Sequence, residues 1–322
     1  MLLETLKKDF TQYTKQAEQG SFLSMREQAF AEFEKLGFPT TKHEEWKYTN
    51  LKAITERLFE ATCEVTSSVN EFVKESIFSQ ITANRLVFVN GSYVKELSTL
   101  LETDNTIVIG SLAIERHTHK NIFDQHFGKY AKVEGQALNA LNMALLSDGA
   151  FVYVPAGKTV THPIVILNIS NASGLNVLAQ PRNLVVVEKG ASVMLVETYD
   201  ALGTNASFTN AVTEIYAGEN SKVEHYKIQQ QTGESYQNNF TQIFQEANTN
   251  INHVTLTLDG TMVRNNLHFY MNGENCNSLL YGLYVTDSKD FVDNHTRVDH
   301  AKPNCFSDEK YKGILKDHST AV

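Results

Sequence analysis

Cysteine is scarce and scattered in these 322 residues: Cys63, Cys276 and Cys305 are the only three, and no CxxC occurs. An odd, widely spread set argues against a disulfide framework and against a preformed four-thiolate zinc or iron-sulfur centre. Clusters of basic residues are missing too. The net charge is -9, from 28 Lys and Arg against 37 Asp and Glu. Such a chain lacks the Lys/Arg footprint that nucleic acid or an anionic membrane surface requires. No apolar run approaches the length that spans a bilayer. The opening Met-Leu-Leu-Glu-Thr-Leu-Lys-Lys has neither the apolar core nor the small-residue cleavage site of a signal peptide, so the expectation is a reduced, cytoplasmic protein. P-loop, GxGxxG, HExxH and GxSxG motifs are all absent, which removes the common linear signatures of phosphate, dinucleotide, zinc-peptidase and serine-hydrolase chemistry.

What the chain does have is an ordinary globular composition, 42% hydrophobic and 20% charged, enough to bury a core. Leu3, Leu6, Phe10, Tyr13 and Ala17 fall at spacings of three and four and predict a first helix, broken at Gly20. Phe22, Met25, Ala29, Phe30, Phe33 and Leu36 repeat the stripe, with capping-box spacing at Ser24 and Glu27 and a stop at Gly37 and Pro39. A further helix is expected from about Glu44 to Phe59. Arg85 to Val89 and Ser92 to Lys95 flank Asn90-Gly91, a strong hairpin signal, and Thr106 to Ile109 is a candidate strand. Helical spacing returns from about Asn121 to Leu146.

From Ala150 onward the pattern changes to apolar, β-branched and aromatic runs punctuated by turns. Glu188-Lys-Gly-Ala-Ser-Val-Met-Leu-Val, Tyr216-Ala-Gly-Glu-Asn-Ser-Lys-Val-Glu-His-Tyr and Gln245-Glu-Ala-Asn-Thr-Asn-Ile-Asn-His-Val each read as strand end, polar turn and new strand. Ser192, Ser221 and Asn250 take equivalent places in them, about 29 residues apart, which is a solenoid period. Two strands per unit and no helix favour a right-handed parallel β-helix over its rival, a sandwich of antiparallel hairpins. The expected division is a helical region over 1–60, a mixed α/β segment capping the core over 61–149, and the β-helix over 150–322. Stacked rungs satisfy one another's backbone groups except at the ends, so an uncovered last rung is expected to pair with a partner or with a second copy of the chain.

The densest polar cluster is Asp287, Asp290, Asp293, His295, Arg297, Asp299, His300 and Cys305. Cys305 and His300 are soft or borderline ligand types and the candidates for metal binding, against a plain reading as a solvated turn with one buried thiol. Asp287, Asp290 and Asp293 raise an alternative function, a carbohydrate-active β-helix enzyme using grouped carboxylates for acid-base work or calcium binding. The missing export signal and the lack of an evident aromatic ladder for sugar stacking speak against it. His117-Thr-His119 would share one face of a strand, a weak metal signal. Trp46, the single tryptophan, reads as a packing anchor between the helices and the mixed segment.

In order and spacing, a series of segments resembles the SufB/SufD family of iron-sulfur cluster assembly subunits. They are Pro39-Thr-Thr-Lys-His-Glu-Glu-Trp-Lys-Tyr-Thr-Asn-Leu51, Asp148-Gly-Ala-Phe-Val-Tyr-Val-Pro-Ala-Gly157 with Pro163-Ile164, Pro181-Arg182 through Glu188 with Glu197, and Val223-Glu-His-Tyr-Lys-Ile-Gln229. The last stretch is the most specific: Arg264-Asn265, Gly282-Leu-Tyr284, Asp293, Val298-Asp-His300, Pro303-Asn-Cys305-Phe-Ser307 and Tyr311-Lys-Gly-Ile314. The segment around Trp46 and Tyr48 favours the SufD branch. The resemblance implies helices before a parallel β-helix, and a non-catalytic scaffold pairing with a SufB-like paralogue through β-helix edge strands. It also implies a SufC-like ATPase that docks on a C-terminal helical domain, which members carry beyond the point matching Val322. A transient iron-sulfur cluster would then belong to the complex, with no cofactor in this chain alone. Trp46, Tyr48, Arg264, Gly282, Asp293, His300, Cys305 and Tyr311, which match the family's motifs, are expected to be structural.

Overall fold

The computed structural model describes residues 2–16 and 20–322. Two helices open the chain, α1 (Leu2–Gln16) and α2 (Ser21–Leu36). Leu2, Leu6 and Phe10 bury one face of α1, and the Phe10 ring stacks on Phe30 of α2 at 4.1 Å. Ala17, the last position of the expected stripe, lies outside the described residues. Helix α2 stops where expected, with the Gly37 N–H on the Phe33 carbonyl at 2.7 Å. Its start differs. The Ser24 N–H already bonds the Gly20 carbonyl at 3.1 Å, so Ser24 is inside the helix and no capping box forms at Ser24 and Glu27.

The helix expected over 44–59 is a 3-10 turn at Glu44–Trp46 and a single helical turn, α3 (Lys52–Thr55). The reason is tertiary. The Glu45 carbonyl accepts from the Arg264 guanidinium, 2.6 Å away, instead of from a helical N–H. Next come α4 (Ser67–Glu75), α5 (Ile77–Gln80), and the hairpin of β1 (Asn84–Val89) and β2 (Ser92–Tyr93), turning at Asn90 and Gly91 with positive φ as its sequence predicts. Strand β3 (Val108–Ser111) precedes α6 (Leu112–Thr118), α7 (Lys120–His126) and α8 (Ala137–Leu145). His117 and His119 therefore sit in and at the end of a helix, not on a strand. The long helix expected over 121–146 is broken between α7 and α8 because the Glu214 carboxylate takes the N–H groups of Gly128, Tyr130 and Ala131 at 3.0–3.1 Å.

The remaining strands are β4 (Ala150–Val154), β5 (Ile164–Ala172), β6 (Val177–Ala179), β7 (Arg182–Val187), β8 (Ser192–Gly203), β9 (Ser207–Ala217), β10 (Lys222–Gln230), β11 (Ser235–Gln245) and β12 (Asn250–Asp259), followed by β13 (Met262–Met271), β14 (Asn277–Thr286), β15 (Phe291–His300), β16 (Phe306–Leu315) and β17 (Thr320–Ala321). Alternate strands fall into two sheets. One runs β16-β14-β12-β10-β8-β5-β1-β2 and the other β17-β15-β13-β11-β9-β7-β4-β3. Every rung-to-rung pairing from β4 and β5 onward is parallel, which makes a β-solenoid of about six turns and excludes the antiparallel sandwich. The N-terminal helices pack on the outer face of the second sheet, where Phe33, Leu141, Phe208 and Tyr236 share one cluster.

Rung length is set at a corner. Gly190, Asn220, Asn248, Asn275 and Asn304 all take φ of 58–66° two residues before a strand of the first sheet. Asn tolerates this left-handed conformation better than other side-chain-bearing residues, so the Gly/Asn column fixes where each rung turns. The register pairs Ser192 with Lys222 and Asn250, so Ser221 stands one position before the place expected for it.

Candidate functional site

The inward phase of the first sheet carries chemistry. Along β10 the buried residues are Val223, His225, Lys227 and Gln229, alternating with partly exposed ones. Parallel register turns this alternation into columns. Ile166, Glu197, Lys227, Thr255, Gly282 and Tyr311 occupy one position on six successive rungs, and Leu195, His225, His253 and Leu280 occupy the neighbouring one. The lumen is apolar towards the start of these strands, with Val193, Leu195 and Ile215 in one cluster, and polar further along them.

At the polar end four ionisable side chains are sealed from solvent: Glu197, His225, Lys227 and His253 are each at most 2% exposed. The Glu197 carboxylate accepts from Tyr199 Oη, from Thr213 Oγ1 at 3.1 Å and from His225 Nε2 at 3.0 Å, and Lys227 Nζ lies 3.4 Å away. Lys227 also donates to Thr241 Oγ1 at 2.9 Å. His225 Nδ1 meets His253 Nδ1 at 3.1 Å, and His253 Nε2 meets Thr255 Oγ1 at 2.9 Å. With His225 Nε2–H committed to the carboxylate, one arrangement of neutral rings satisfies the chain: Thr255 O–H donates to His253 Nε2, His253 Nδ1–H to His225 Nδ1, and His225 Nε2–H to Glu197. Burial pushes the Glu197 carboxyl up, but Lys227 and the His225 hydrogen bond outweigh it and hold it well below the usual carboxylate range. Burial likewise pushes His225, and more strongly His253, below the ordinary imidazole value, and lowers Lys227 against the opposing pull of Glu197. The result is one buried ion pair with a hydrogen-bonded chain of neutral histidines running across two rungs.

A second constellation lies outside the lumen, on the outward face of β13 and β15. Arg264 and Asp293, both buried, form an ion pair joined by Thr49 Oγ1. The Arg264 guanidinium sits 4.1 Å from the Trp46 ring, and His295 Nε2 lies 3.0 Å from Asp293 Oδ1. Burial would raise the Asp293 carboxyl; the nearby His295 ring, Arg264 and the Thr49 hydrogen bond outweigh it and leave it low. Trp46 packs on the apolar cluster that the N-terminal helices share with the mixed segment, and its ring over Arg264 also ties its segment to the solenoid. Beside it is a cavity of about 550 Å³ lined by Trp46, Arg264, His268, His295 and Arg297 among others. Tyr48 is 63% exposed and takes no part in the ion pair.

The other residues singled out by sequence are dispersed. Gly282 faces Tyr311, and a Cβ on it would lie 2.2 Å from that ring; reciprocally, Tyr284 covers Gly313. His300 is exposed and its Nε2 contacts Ser307 Oγ at 3.0 Å, whereas the Cys305 thiol donates to the Gly273 carbonyl at 3.3 Å. Among the described residues no group of three or more His, Cys, Asp or Glu is placed to hold a metal ion. Asp287 and Asp290 belong to one turn, with the Asp290 N–H on the Asp287 carbonyl at 3.0 Å, while Asp293 is buried against Arg264. The three carboxylates do not form a common site. An aromatic ladder, not evident in the sequence, does exist: Tyr216, Phe244 and Tyr270 stack on successive rungs at 6.2 and 5.5 Å, with Tyr130 packed across Phe244. Glu197, His225 and Lys227 entered the sequence reading as parts of matched segments, but their meeting in one buried cluster follows only from the facing and register of the strands.

Two family models match end to end: the SufBD protein N-terminal region over residues 3–166, and the SUF system FeS cluster assembly SufBD core domain over residues 168–322. The chain is 27% identical over 296 residues to an iron-sulfur cluster assembly SufBD family protein of Synechocystis, covering 89% of this chain and 65% of the relative. It is 25% identical over 290 residues to the iron-sulfur cluster assembly protein SufD of Escherichia coli, covering 89% and 64%. The SufD of Bacillus subtilis is 24% identical over 209 residues, covering 62% and 46%. The chain therefore spans just under two thirds of the length of the first two relatives. No helix among the described residues is long and apolar enough to cross a membrane. With a two-sheet parallel solenoid, an N-terminal helical region and both family models matched in order, the chain belongs to the SufBD family of iron-sulfur cluster assembly proteins.

Proposed function

We propose that this chain is a SufD-type, non-catalytic scaffold subunit that works in the cytoplasm. It pairs with a SufB-like paralogue through β-helix edge strands and works with a SufC-like ATPase, and the nascent iron-sulfur cluster is the cargo of the assembled complex. The observation that carries the reading is the continuous match of both family models along a solenoid whose rungs keep one register from β8 to β16, apart from a single shift at Gln229–Gln230 near the end of β10. A solenoid of that regularity is extended by adding strands in register. The hydrogen-bonding edge of β16 suits a further rung of the same chain or a strand of a partner equally. The Arg264–Asp293–Thr49 contact ties the N-terminal segment to the solenoid flank, as a rigid platform needs.

The test is co-expression of this protein, at the length its natural reading frame encodes, with the SufB-like and SufC-like proteins of its own source. A complex that co-elutes through affinity and size-exclusion steps, with no turnover by this subunit alone, supports the proposal. A subunit that ignores both partners overturns it.

A further inference from the structure

The corner column that precedes the strands of the first sheet holds Ala191, Ser221, Thr249, Cys276 and Cys305. Each follows a Gly or Asn with positive φ, and each of the first four gives its carbonyl to the first strand residue of the next rung. Cys276 O accepts from Phe306 N at 2.8 Å, so Cys305 stands directly over Cys276 one rung later. Adjacent strands are about 4.8 Å apart, inside the span of Cα separations that a disulfide bridges. The side chains converge as well: both thiols donate to the same carbonyl, that of Gly273, at 3.2 and 3.3 Å. Cys276 is 1% exposed, while Cys305 is half-buried. The third cysteine, Cys63, is exposed and free.

We propose that Cys276 and Cys305 are a redox-modification site, a cross-rung dithiol that a low-molecular-weight disulfide converts to an intramolecular disulfide. Cys305, the accessible thiol, attacks one sulfur of the small disulfide. A mixed disulfide forms, and the first small thiolate leaves and takes up the proton. Cys276 then attacks Cys305 Sγ, forming the protein S–S bond and expelling the second small thiolate, which is protonated in turn. The two protein thiols lose two electrons and two protons; the small disulfide gains them and becomes two thiols. Burial suits this neutral product better than a thiolate-metal site. Burial and the neighbouring thiol push the Cys276 thiol up, which slows its attack, but its place beside Cys305 supplies the high local concentration that offsets this.

The experiment incubates the reduced, folded protein with oxidised glutathione, quenches it in acid and maps peptides by mass spectrometry, with circular dichroism confirming the fold. The expected result is a Cys276–Cys305 linked peptide lacking two hydrogens, with Cys63 carrying a glutathione adduct. Oxidation should also raise the melting temperature, because β14 and β16 become stapled. In Cys276→Ala, Cys305 should keep its glutathione adduct for want of a resolving thiol. A wild-type protein in which Cys305 retains the adduct overturns the proposal. So does one in which Cys276 and Cys305 both stay free while Cys63 reacts, or in which Cys63 is linked to either. These readings come from the wild-type chain and do not depend on the variant folding.

Discussion

Glu197 and Lys227 show what a single buried charge demands of its neighbours. Taking away one partner leaves the other charged in a lumen sealed from solvent, so Glu197→Gln or Lys227→Met should each destabilise the chain by about 3–5 kcal/mol, whereas Glu197→Gln combined with Lys227→Met, which removes both charges and keeps an acceptor for Tyr199, Thr213 and His225, should recover part of that loss. Urea midpoints of the three variants test this, and a double variant as unstable as the two singles summed would argue against a paired role. The histidines add a pH dependence. His225, His253 and His268 are held below their ordinary value by burial, His268 down to about 4. The unfolded chain titrates them near 6.5, so below that pH it binds protons that the native state refuses, and stability falls as pH drops from about 6.5 towards about 4. Asp200, pushed up to about 6 by burial, acts in the opposite sense between about 4 and 6. Urea midpoints should therefore decline from pH 7 to pH 5, less steeply in His268→Phe and more steeply in Asp200→Asn. Equal slopes in all three proteins would remove the assignment.

At the scale of the rung, Gly282 and Tyr311 are one unit. The missing side chain on β14 is the space the tyrosine ring fills on β16, and Tyr284 with Gly313 repeats the arrangement in the opposite direction. Gly282→Ala should cost roughly 1–3 kcal/mol by overpacking, and Tyr311→Leu in the same chain should relieve part of it. A thermal melt of the single and double variants decides, and an unaffected single variant would show that the ring simply moves aside. Sequence reasoning reached both residues as matched motif positions expected to be structural. It could not pair them, because they are 29 positions apart and the register is a property of the stacked strands.

Across the whole molecule, the N-terminal segment is held against the solenoid by groups more than two hundred positions away. Arg264 donates to the Glu45 carbonyl and to Thr49, and the Trp46 ring covers its guanidinium. Arg264→Met should release the stretch around Lys42 and Lys47, raising trypsin cleavage there by about tenfold or more for the loss of roughly 1.5–3 kcal/mol of charge-assisted hydrogen bonding, while the solenoid strands stay protected. Unchanged cleavage at these lysines would show that Arg264 does not hold the segment. The same contact explains why only two short turns stand where a helix from Glu44 was expected.

The sequence alone determined the solenoid. Alternating strands, Gly and Asn at a corner every 27–30 residues and a two-strand unit are local features, because left-handed backbone and strand alternation are properties of a residue and its immediate neighbours. It also determined the family, through motifs whose order and spacing survive in one chain. Tertiary structure alone decided which charges meet. Glu197 finds Lys227 one rung later, Glu214 breaks a helix by gathering N–H groups from 128–131, and Arg264 reaches Asp293 and Thr49 together. Such contacts depend on strand register and on which face of a sheet is covered, and both are set only when distant segments pack.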